Sequence, residues 1–367
     1  MSAILALITD GFGGSGGIAQ YNRDLIKALM LCPGIERIVV LPRLGETDAA
    51  AFPAGVRQLK PRRNAAVYSL AAIKVALTQG SFDAVFCGHL HLAPLARFLA
   101  SLLGVPLWLQ LHGWEAWDVP RRIERQAAER ACLITAVSRY TRSRFLALCG
   151  VDPARVRVLP PTLEPSFGRG ARSDALVARY GLSGKRVLLT VGRLDPAERR
   201  KGQDQVIRAL PGIIAAFPDV VYLIVGGGAD AARLEALARE LNVADRVVFA
   251  GTVGADELAQ LYRLADLFVM PSTQEGFGIV FLEAAASGLR VIGGNADGSA
   301  DALADGAIGT LIDPADTAML VRAVTAALGD VGTASTDVAR FRFENFSQHV
   351  RELTKRHLFA AAETRRA

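Results

Sequence analysis

Residues 3–20 read AILALITDGFGGSGGIAQ, an apolar run, then a glycine-rich segment, then the start of a helical pattern. The run at 4–8 is typical of a buried strand, and residues 18–31 have helical periodicity. Glycines permit close backbone approach, so the N–H groups of 11–17 suit a diphosphate or sugar. A flexible turn is the alternative. Strand, loop and helix in this order predict the start of an α/β fold.

The same alternation continues along the chain and restarts near its middle. It predicts parallel sheets with helices on both faces. The predicted strands are residues 4–8, 38–41, 84–87, 107–111, 133–137, 156–159, 186–191, 220–225, 246–249, 267–270, 291–293 and 310–312. A Pro-rich break at 160–165 and a Gly/Arg-rich stretch at 168–172 predict the linker. We therefore expect two Rossmann-like, doubly wound domains, 1–165 and 172–335, with a terminal helix at about 341–360 packing back on the first.

Length and composition favour an intracellular protein of two domains. The chain has 367 residues, a hydrophobic content of 51% and a mean hydropathy of +0.27, which suit buried parallel strands. The four cysteines are scattered without a C-x-x-C motif, as in reduced cytosolic proteins. The opening residues lack the basic region of a secretory signal, and polar and proline residues interrupt the apolar region 84–111. We expect a cytoplasmic location.

Positive charge is concentrated in the first half. Residues 1–165 carry 19 Lys and Arg against 12 Asp and Glu, whereas the whole chain has a net charge of +6. Lys60, Arg62 and Arg63 precede the apolar stretch 65–77. This pattern predicts binding to an anionic membrane surface or to a phosphate-bearing partner. The alternative is that these charges belong to solvated helix faces. No nucleic-acid motif accompanies the charge, so we do not expect nucleic acid as a partner.

Two glutamates flank a second glycine-rich turn, in the segment EGFGIVFLE at 275–283. A helix beginning within it would offer N–H groups at its start, suited to an anion or to hydroxyl groups. Glu275 would lie at the mouth of such a site and Glu283 about two turns down the helix. These positions suit the sugar end and the ribose end of a nucleotide sugar. A solvated Glu and a structural Glu are the alternative.

A pair of cations follows the first strand of the second half. Gly192 and Arg193 follow this strand, and Lys201 comes eight residues after Arg193. A forked guanidinium and a point-like ammonium can converge on a diphosphate leaving group. The intervening Glu198, Arg199 and Arg200 are expected to be solvated.

A histidine follows the predicted strand at 107–111. His112 is placed to hydrogen-bond a sugar hydroxyl or to steady developing charge, with a satisfied core histidine as the alternative. Trp114 and Trp117 could line a carbohydrate-sized pocket. His89 and His91 have no further ligand spacing, so we predict no metal site there. No two Asp residues are separated by a single residue, and no Walker-type phosphate loop occurs. We therefore expect neither a metal nor another cofactor.

Taken together, these motifs resemble the retaining glycosyltransferases of family 4, which have the two-domain GT-B fold. The form HGWEAW at 112–117 is similar to bacterial members that build exopolysaccharide and other surface glycans, including mannosyltransferases. One departure is Pro160-Pro161-Thr162, where relatives often have Pro-Asn. The matching pieces, in the family's order, are residues 13–17, 112–113, 137–138, 192–194, 201–202, 226–228, 249–251 and 275–283.

The resemblance implies two domains facing a cleft, the first binding the acceptor and the second the donor. Arg193 and Lys201 would hold the diphosphate. Glu283 would accept hydrogen bonds from the ribose. The donor sugar would meet Glu275 and the turn after it, which is formed by Gly276, Phe277 and Gly278. Gly14 and Gly16 would approach the phosphate or the sugar from the other side, and the segment around Val253 would touch the base.

The sequence thus predicts a metal-independent, retaining hexosyltransferase that uses GDP-mannose or a UDP-sugar. The acceptor would be a lipid-linked or oligosaccharide glycan, and the enzyme would lie in the cytoplasm or on the inner face of the cell membrane. His112, Glu275, Arg193 and Lys201 are the candidate catalytic residues. The alternatives are a nucleotide-dependent oxidoreductase or epimerase, and a sugar-nucleotide binder without catalysis.

Overall fold

The structure is a computed structural model that describes residues 2–14, 16–45, 52–330 and 337–359. The described residues form two compact units. The first unit contains the chain up to Thr162 and again from Phe341 onward, and the second contains residues from Leu163 to Arg340.

The first unit is built on a parallel sheet of seven strands in the order β3-β2-β1-β4-β5-β6-β7. Its strands are β1 (Ser2–Ile8), β2 (Ile35–Pro42), β3 (Val56–Gln58), β4 (Ala84–Cys87), β5 (Leu107–Leu111), β6 (Leu133–Ala136) and β7 (Val156–Val158). The sequence did not predict β3. This strand has three residues and one apolar side chain, and it exists because it pairs with the edge of β2.

The second unit is built on a parallel sheet of six strands in the order β10-β9-β8-β11-β12-β13. Its strands are β8 (Arg186–Val191), β9 (Val220–Val225), β10 (Val247–Gly251), β11 (Leu267–Met270), β12 (Arg290–Gly294) and β13 (Thr310–Ile312). Each central strand is buried on both faces, which explains why these segments are continuously apolar rather than alternating. The predicted class, two parallel α/β sheets, is confirmed.

Helices connect the strands and cover the sheets. They are α1 (Gly17–Met30), α2 (Ala65–Thr78), α3 (Ala93–Leu103), α4 (Arg122–Ala128), α5 (Arg139–Leu148), α6 (Asp174–Arg179), α7 (Gln203–Ala216), α8 (Ala231–Glu240), α9 (Ala255–Leu264), α10 (Ile279–Ala286), α11 (Ser299–Ala302), α12 (Thr317–Gly329) and α13 (Phe343–Thr354). In the first unit, α2 to α5 pack on one face of the sheet around Leu5, Leu7 and Leu109. The terminal helix α13 packs on α1, where the rings of Tyr21 and Phe346 meet edge to face at 5.7 Å.

Candidate active site

The strand order of the second sheet defines a natural site. The chain runs outward from β8 in one direction and from β11 in the other, so these neighbours mark the point where the order reverses. Loops leaving their carboxyl ends diverge there, and such crevices are where open α/β sheets bind ligands. Arg193 follows β8, and Glu275 follows β11.

Lys201 and Glu275 meet at this position. The Lys201 ammonium Nζ lies 2.9 Å from Glu275 Oε2, and both side chains are largely buried. The negative charge of Glu275 raises the pKa of Lys201 and outweighs the opposing effect of burial. Two groups separated by 74 positions in sequence therefore form one charged pair at the predicted site.

Backbone packing holds Lys201 in place. The residue after it, Gly202, has a φ of 90°, and a Cβ there would lie 2.6 Å from the carbonyl oxygen of Pro271. Only glycine lets α7 begin this close to the end of β11. The aliphatic stem of Lys201 rests on Gly192, where a Cβ would lie 2.8 Å from the Lys201 Cδ. The glycines of the two motifs thus create the space that the lysine occupies.

Arg193 is near this pair but more exposed. Its side chain is 77% exposed and forms an ion pair with Glu198, and its charge lowers the pKa of Lys201. Arg199 forms an ion pair with the buried Asp230 at 2.8 Å. Arg199 is exposed, as expected, and Glu198 is half-buried, and each also forms an ion pair with a neighbour.

The turn after Glu275 leads directly into α10. Phe277 is buried, and Gly278 caps the helix with a φ of 84°. Gly276 approaches the loop after β12 so closely that a Cβ at Gly298 would lie 2.1 Å from the Gly276 carbonyl oxygen. A helix start of this kind presents amide groups that lack partners within the helix.

Glu283 is the fifth residue of α10 and is buried, with 6% of the residue exposed. The Tyr262 hydroxyl donates a hydrogen bond of 2.8 Å to its Oε2. Burial raises the pKa of Glu283 to about 7, and the nearby carboxylate of Glu164 acts in the same direction. Glu283 is therefore buried more deeply than Glu275, although both belong to one sequence motif.

The loops after β8, β9 and β10 are joined by their backbones. Gly226 N donates to Gly251 O at 2.8 Å, and Leu194 N donates to Gly227 O at 3.0 Å. Val253 lies half-buried in the loop that follows β10. The segment predicted to contact the base therefore lies, like Arg193, at the carboxyl ends of the parallel strands.

In the first unit, the glycine-rich loop follows β1, and distant side chains bind the backbone of its described residues. Arg23 donates to the carbonyl oxygen of Gly14 at 2.8 Å. The side chain of Gln58 accepts from Phe12 N at 3.1 Å and donates to Phe12 O at 2.8 Å. Gly16 caps α1 with a φ of 89°. Arg23 and Gln58 belong to no recognisable motif, so sequence reasoning missed them.

His112 follows β5 and is neutral in this environment. Its Nε2 lies 2.9 Å from the carbonyl oxygen of Gly88, so Nε2 carries the proton and Nδ1 is an acceptor. Burial lowers the pKa of His112 to about 4, and the opposing effect of Glu115 is smaller. The His112 amide also donates to Glu115 Oε1 at 2.6 Å. These contacts fix the tautomer and the orientation of the ring.

The two tryptophans of the same motif have different environments. Trp114 is 65% exposed. Trp117 is buried, and its Nε1 donates to Thr141 Oγ1 at 3.2 Å. The prediction that Trp117 lines a pocket was wrong, because packing against α5 places it in the core.

Metal-binding clusters and membrane-spanning helices are both missing from the described ranges. Within residues 2–14, 16–45, 52–330 and 337–359, there is no group of three or more His, Cys, Asp or Glu side chains arranged to hold a metal ion. In the same ranges, no helix combines the length and the apolar character needed to cross a membrane.

Comparison with known proteins identifies the family. Residues 15–167 match the model described as Glycosyltransferase Family 4, and residues 174–336 match Glycosyl transferases group 1. The GDP-mannose-dependent alpha-(1-6)-phosphatidylinositol monomannoside mannosyltransferase of Mycobacterium tuberculosis is 32% identical over 341 residues, covering 85% of this chain and 86% of that protein. The chain belongs to glycosyltransferase family 4. The resemblance predicted from the motifs is confirmed.

Two further relatives show that the names within the family vary. The Mycolicibacterium smegmatis protein of the same name is 39% identical over 228 residues, covering 60% of this chain and 58% of that protein. The D-inositol 3-phosphate glycosyltransferase of Acidothermus cellulolyticus is 32% identical over 83% of this chain and 71% of that protein. Among family members, the named substrates therefore differ.

Solved structures confirm the GT-B fold. Anabaena HepE in complex with UDP and glucose has a TM-score of 0.75 at 22% identity, covering 96% of this chain and 99% of that one. The sucrose-phosphate synthase of Thermosynechococcus elongatus has a TM-score of 0.70 at 21% identity, covering 100% and 98%. Membership of a glycosyltransferase family decides against the oxidoreductase and epimerase alternatives.

Proposed function

We propose that this glycosyltransferase transfers a hexose, foremost mannose from GDP-mannose, to a lipid-linked acceptor, with retention of configuration and without a metal ion. The observation that carries the proposal is the Lys201–Glu275 pair at the point where the strand order of the second sheet reverses. The mannosyltransferase names of the mycobacterial relatives support the choice of donor. A UDP-sugar is the alternative donor, and an oligosaccharide is the alternative acceptor.

The cations of this site would neutralise the leaving diphosphate. Lys201 is largely buried, and the charge of Arg193 is near enough to lower its pKa. An anion bound at Lys201 would therefore interact with both charges. The same anion would compete with Glu275 for the Lys201 ammonium. Charge-stabilising donors held in a water-poor site contribute strongly to catalysis. Phosphate binding would thus release Glu275 to accept hydrogen bonds from the donor sugar.

The remaining site residues would hold the rest of the donor. Glu283, once ionised, would accept hydrogen bonds from the ribose hydroxyls. The amides of Phe277 and Gly278 at the start of α10 would meet the sugar. Gly14 and Gly16 would allow close approach of the first-unit loop to the donor. His112, held with Nδ1 as an acceptor, would bind a sugar hydroxyl rather than act as an acid, since its pKa is about 4.

The proposed reaction needs no protein nucleophile. The acceptor oxygen would attack the anomeric carbon on the face from which the diphosphate leaves. The bond between the anomeric carbon and the phosphate oxygen breaks as the new glycosidic bond forms. The proton of the acceptor hydroxyl passes to the leaving phosphate oxygen. The protein's part is to orient both substrates and to stabilise the charge on the leaving group.

The test is a panel of GDP-, UDP- and ADP-sugars scored for stabilisation and for turnover. A donor at 100 times its dissociation constant adds about 2.7 kcal/mol to the free energy of unfolding. We expect GDP-mannose to give the largest stabilisation, GDP to be released with acceptor, and NMR of the product to show the donor's anomeric configuration. Stabilisation without turnover on any acceptor would favour a binder without catalysis. Inversion would refute the retaining mechanism.

A membrane surface would present the lipid-linked acceptor. Helix α2 carries three exposed apolar side chains, Val67, Leu70 and Leu77. Together with Lys74 they follow one another at spacings of three, four and three residues, so all four lie on one face of the helix. On α3, which contacts α2, Phe98 is also exposed. Exposed contiguous apolar surface marks interaction sites.

Basic residues accompany that apolar face. Lys60, Arg62 and Arg63 are exposed just before α2 begins. Each basic residue near an anionic lipid surface contributes about 1 kcal/mol, and salt screens the attraction. A face that combines exposed apolar and cationic side chains is complementary to an anionic membrane.

Vesicle co-sedimentation tests this part of the proposal. Pelleting should require anionic lipid, decrease with added salt, and drop when the three basic residues Lys60, Arg62 and Arg63 become Ser. The Leu70→Ser variant should weaken pelleting at every salt concentration. A control that changes three exposed arginines of the second unit to Ser should pellet normally; its positions are Arg208, Arg239 and Arg322. If the protein stays in the supernatant with anionic vesicles at low salt, the acceptor is not reached through this surface.

A further inference from the structure

A buried carboxylate lies behind the turn that carries Glu275. Asp297 follows β12 and is 2% exposed. The ion pairs formed by the described residues do not include it, so N–H and O–H donors balance its charge. Burial raises its pKa, and those hydrogen bonds oppose the increase. A buried carboxylate without a cation is costly to the folded state. Its presence therefore needs a reason beyond packing.

The hydrogen bonds of Asp297 converge on Glu275. Its Oδ2 accepts from the Glu275 amide at 2.6 Å and from Ser272 Oγ at 2.8 Å. Its Oδ1 accepts from the Ser299 amide at 2.9 Å. The next residue, Gly298, donates its amide to the carbonyl oxygen of Glu275 at 2.9 Å. The segment after β12 thus binds both peptide groups of Glu275, one through a carboxylate and one through an amide.

We propose that Asp297 is a positioning residue, which holds the backbone of Glu275 so that its side chain lies at the sugar end of the donor. The inference rests on the proposed role of Glu275. Within the described residues, the hydrogen bonds of the Asp297 carboxylate go to Ser272, Glu275 and Ser299, and not to the residues proposed to bind diphosphate or ribose. A change at Asp297 should therefore affect the sugar end of the site and leave the nucleotide end nearly unchanged.

The Asp297→Asn substitution discriminates well because it preserves shape. The carboxylate accepts N–H donors at both of its oxygens, whereas an amide has one oxygen and one NH₂ group. In either orientation of the new amide, an N–H donor would face an NH₂ group. We expect kcat to fall about 10- to 100-fold while the affinity for the nucleoside diphosphate changes less than about 3-fold. Asp313→Asn is the control for the turn hydrogen bond alone, since the exposed Asp313 follows β13 and accepts from Ala315 N at 2.9 Å.

Two further measurements separate positioning from general structural damage. In the protein without donor, amide exchange of residues 272–278 should be faster in Asp297→Asn than in the wild type and the control. Adding Asp297→Asn to Glu275→Gln should lower kcat less than about 3-fold further, because both changes act through one group. The positioning role of Asp297 is overturned if amide exchange of residues 272–278 is unchanged in Asp297→Asn. It is also overturned if the loss of kcat in the double variant equals the product of the two single losses. If Glu275→Gln alone leaves turnover unchanged, the proposed role of Glu275 fails and takes the inference with it.

Discussion

Replacing Glu283 by Gln should stabilise the protein at alkaline pH. Burial raises the pKa of this carboxyl from its ordinary 4.5 to about 7. Each pKa unit corresponds to about 1.4 kcal/mol, so ionisation of Glu283 costs the folded state at most about 3 to 4 kcal/mol. The unfolded chain loses this proton near pH 4.5, whereas the folded protein keeps it until about pH 7. The stability that the protonated Glu283 carboxyl contributes is therefore fully present below pH 4.5 and is lost as the pH rises through 7.

The glutamine would keep the shape of the side chain and the Tyr262 contact but could not ionise. We expect equal free energies of unfolding for Glu283→Gln and the wild type at pH 4.5, and an advantage of about 1 to 3 kcal/mol for the variant at pH 8. Urea denaturation at several pH values measures this. All three tryptophans, Trp108, Trp114 and Trp117, lie in the first unit, so their fluorescence follows that unit while far-UV circular dichroism follows both.

The surroundings of Glu283 provide an internal check. The Tyr262 hydrogen bond lowers the pKa of Glu283, so Tyr262→Phe should shift the pH-dependent loss of stability to higher pH. Glu240→Gln, at the exposed end of α8, serves as the control for the removal of a carboxylate that is not buried. If the free energies of unfolding of the wild type and Glu283→Gln change in parallel from pH 4.5 to 8, the Glu283 carboxyl has the same pKa in the folded and unfolded states, and the prediction is wrong.

Three predictions concern catalysis. Lys201→Ala should lose at least about 100-fold in turnover at saturating donor, the scale of a lost charge-stabilising group, and near-normal turnover would refute the diphosphate role. Activity should survive EDTA; loss of turnover that magnesium or manganese restores would rule out the metal-free mechanism. Glu275→Gln should mainly lower kcat, whereas Glu283→Gln should mainly weaken nucleoside diphosphate binding, and steady-state kinetics with calorimetry would expose equal effects on both.

The fold class could be predicted from local patterns alone. Strands buried on both faces must be apolar throughout, so runs such as 4–8 and 220–225 are visible without any knowledge of their neighbours. Glycines at loop positions record backbone constraints in the same local way, and they led to the family. Arg193, Lys201, Glu275 and Glu283 were therefore named from the sequence.

Pairing between distant segments could not be predicted in this way. Strand β3 is too short to have a pattern of its own and depends on the edge of β2. Trp117 is as compatible with a sugar pocket as with a core, and only its packing against Thr141 decides. Asp297 belongs to no motif, and its hydrogen bonds with Glu275 and Ser272 reach residues 22 and 25 positions away.

The sequence by itself determined that this protein has two parallel α/β sheets and which charged residues follow their strands. The tertiary structure alone decided that Lys201 meets Glu275, because β8 and β11 become neighbours only when the sheet assembles. It also decided that Glu275 remains partly exposed while Glu283 is buried with a pKa of about 7. Local sequence records the periodicity of an element, whereas desolvation and ion pairing depend on what the rest of the chain places around it.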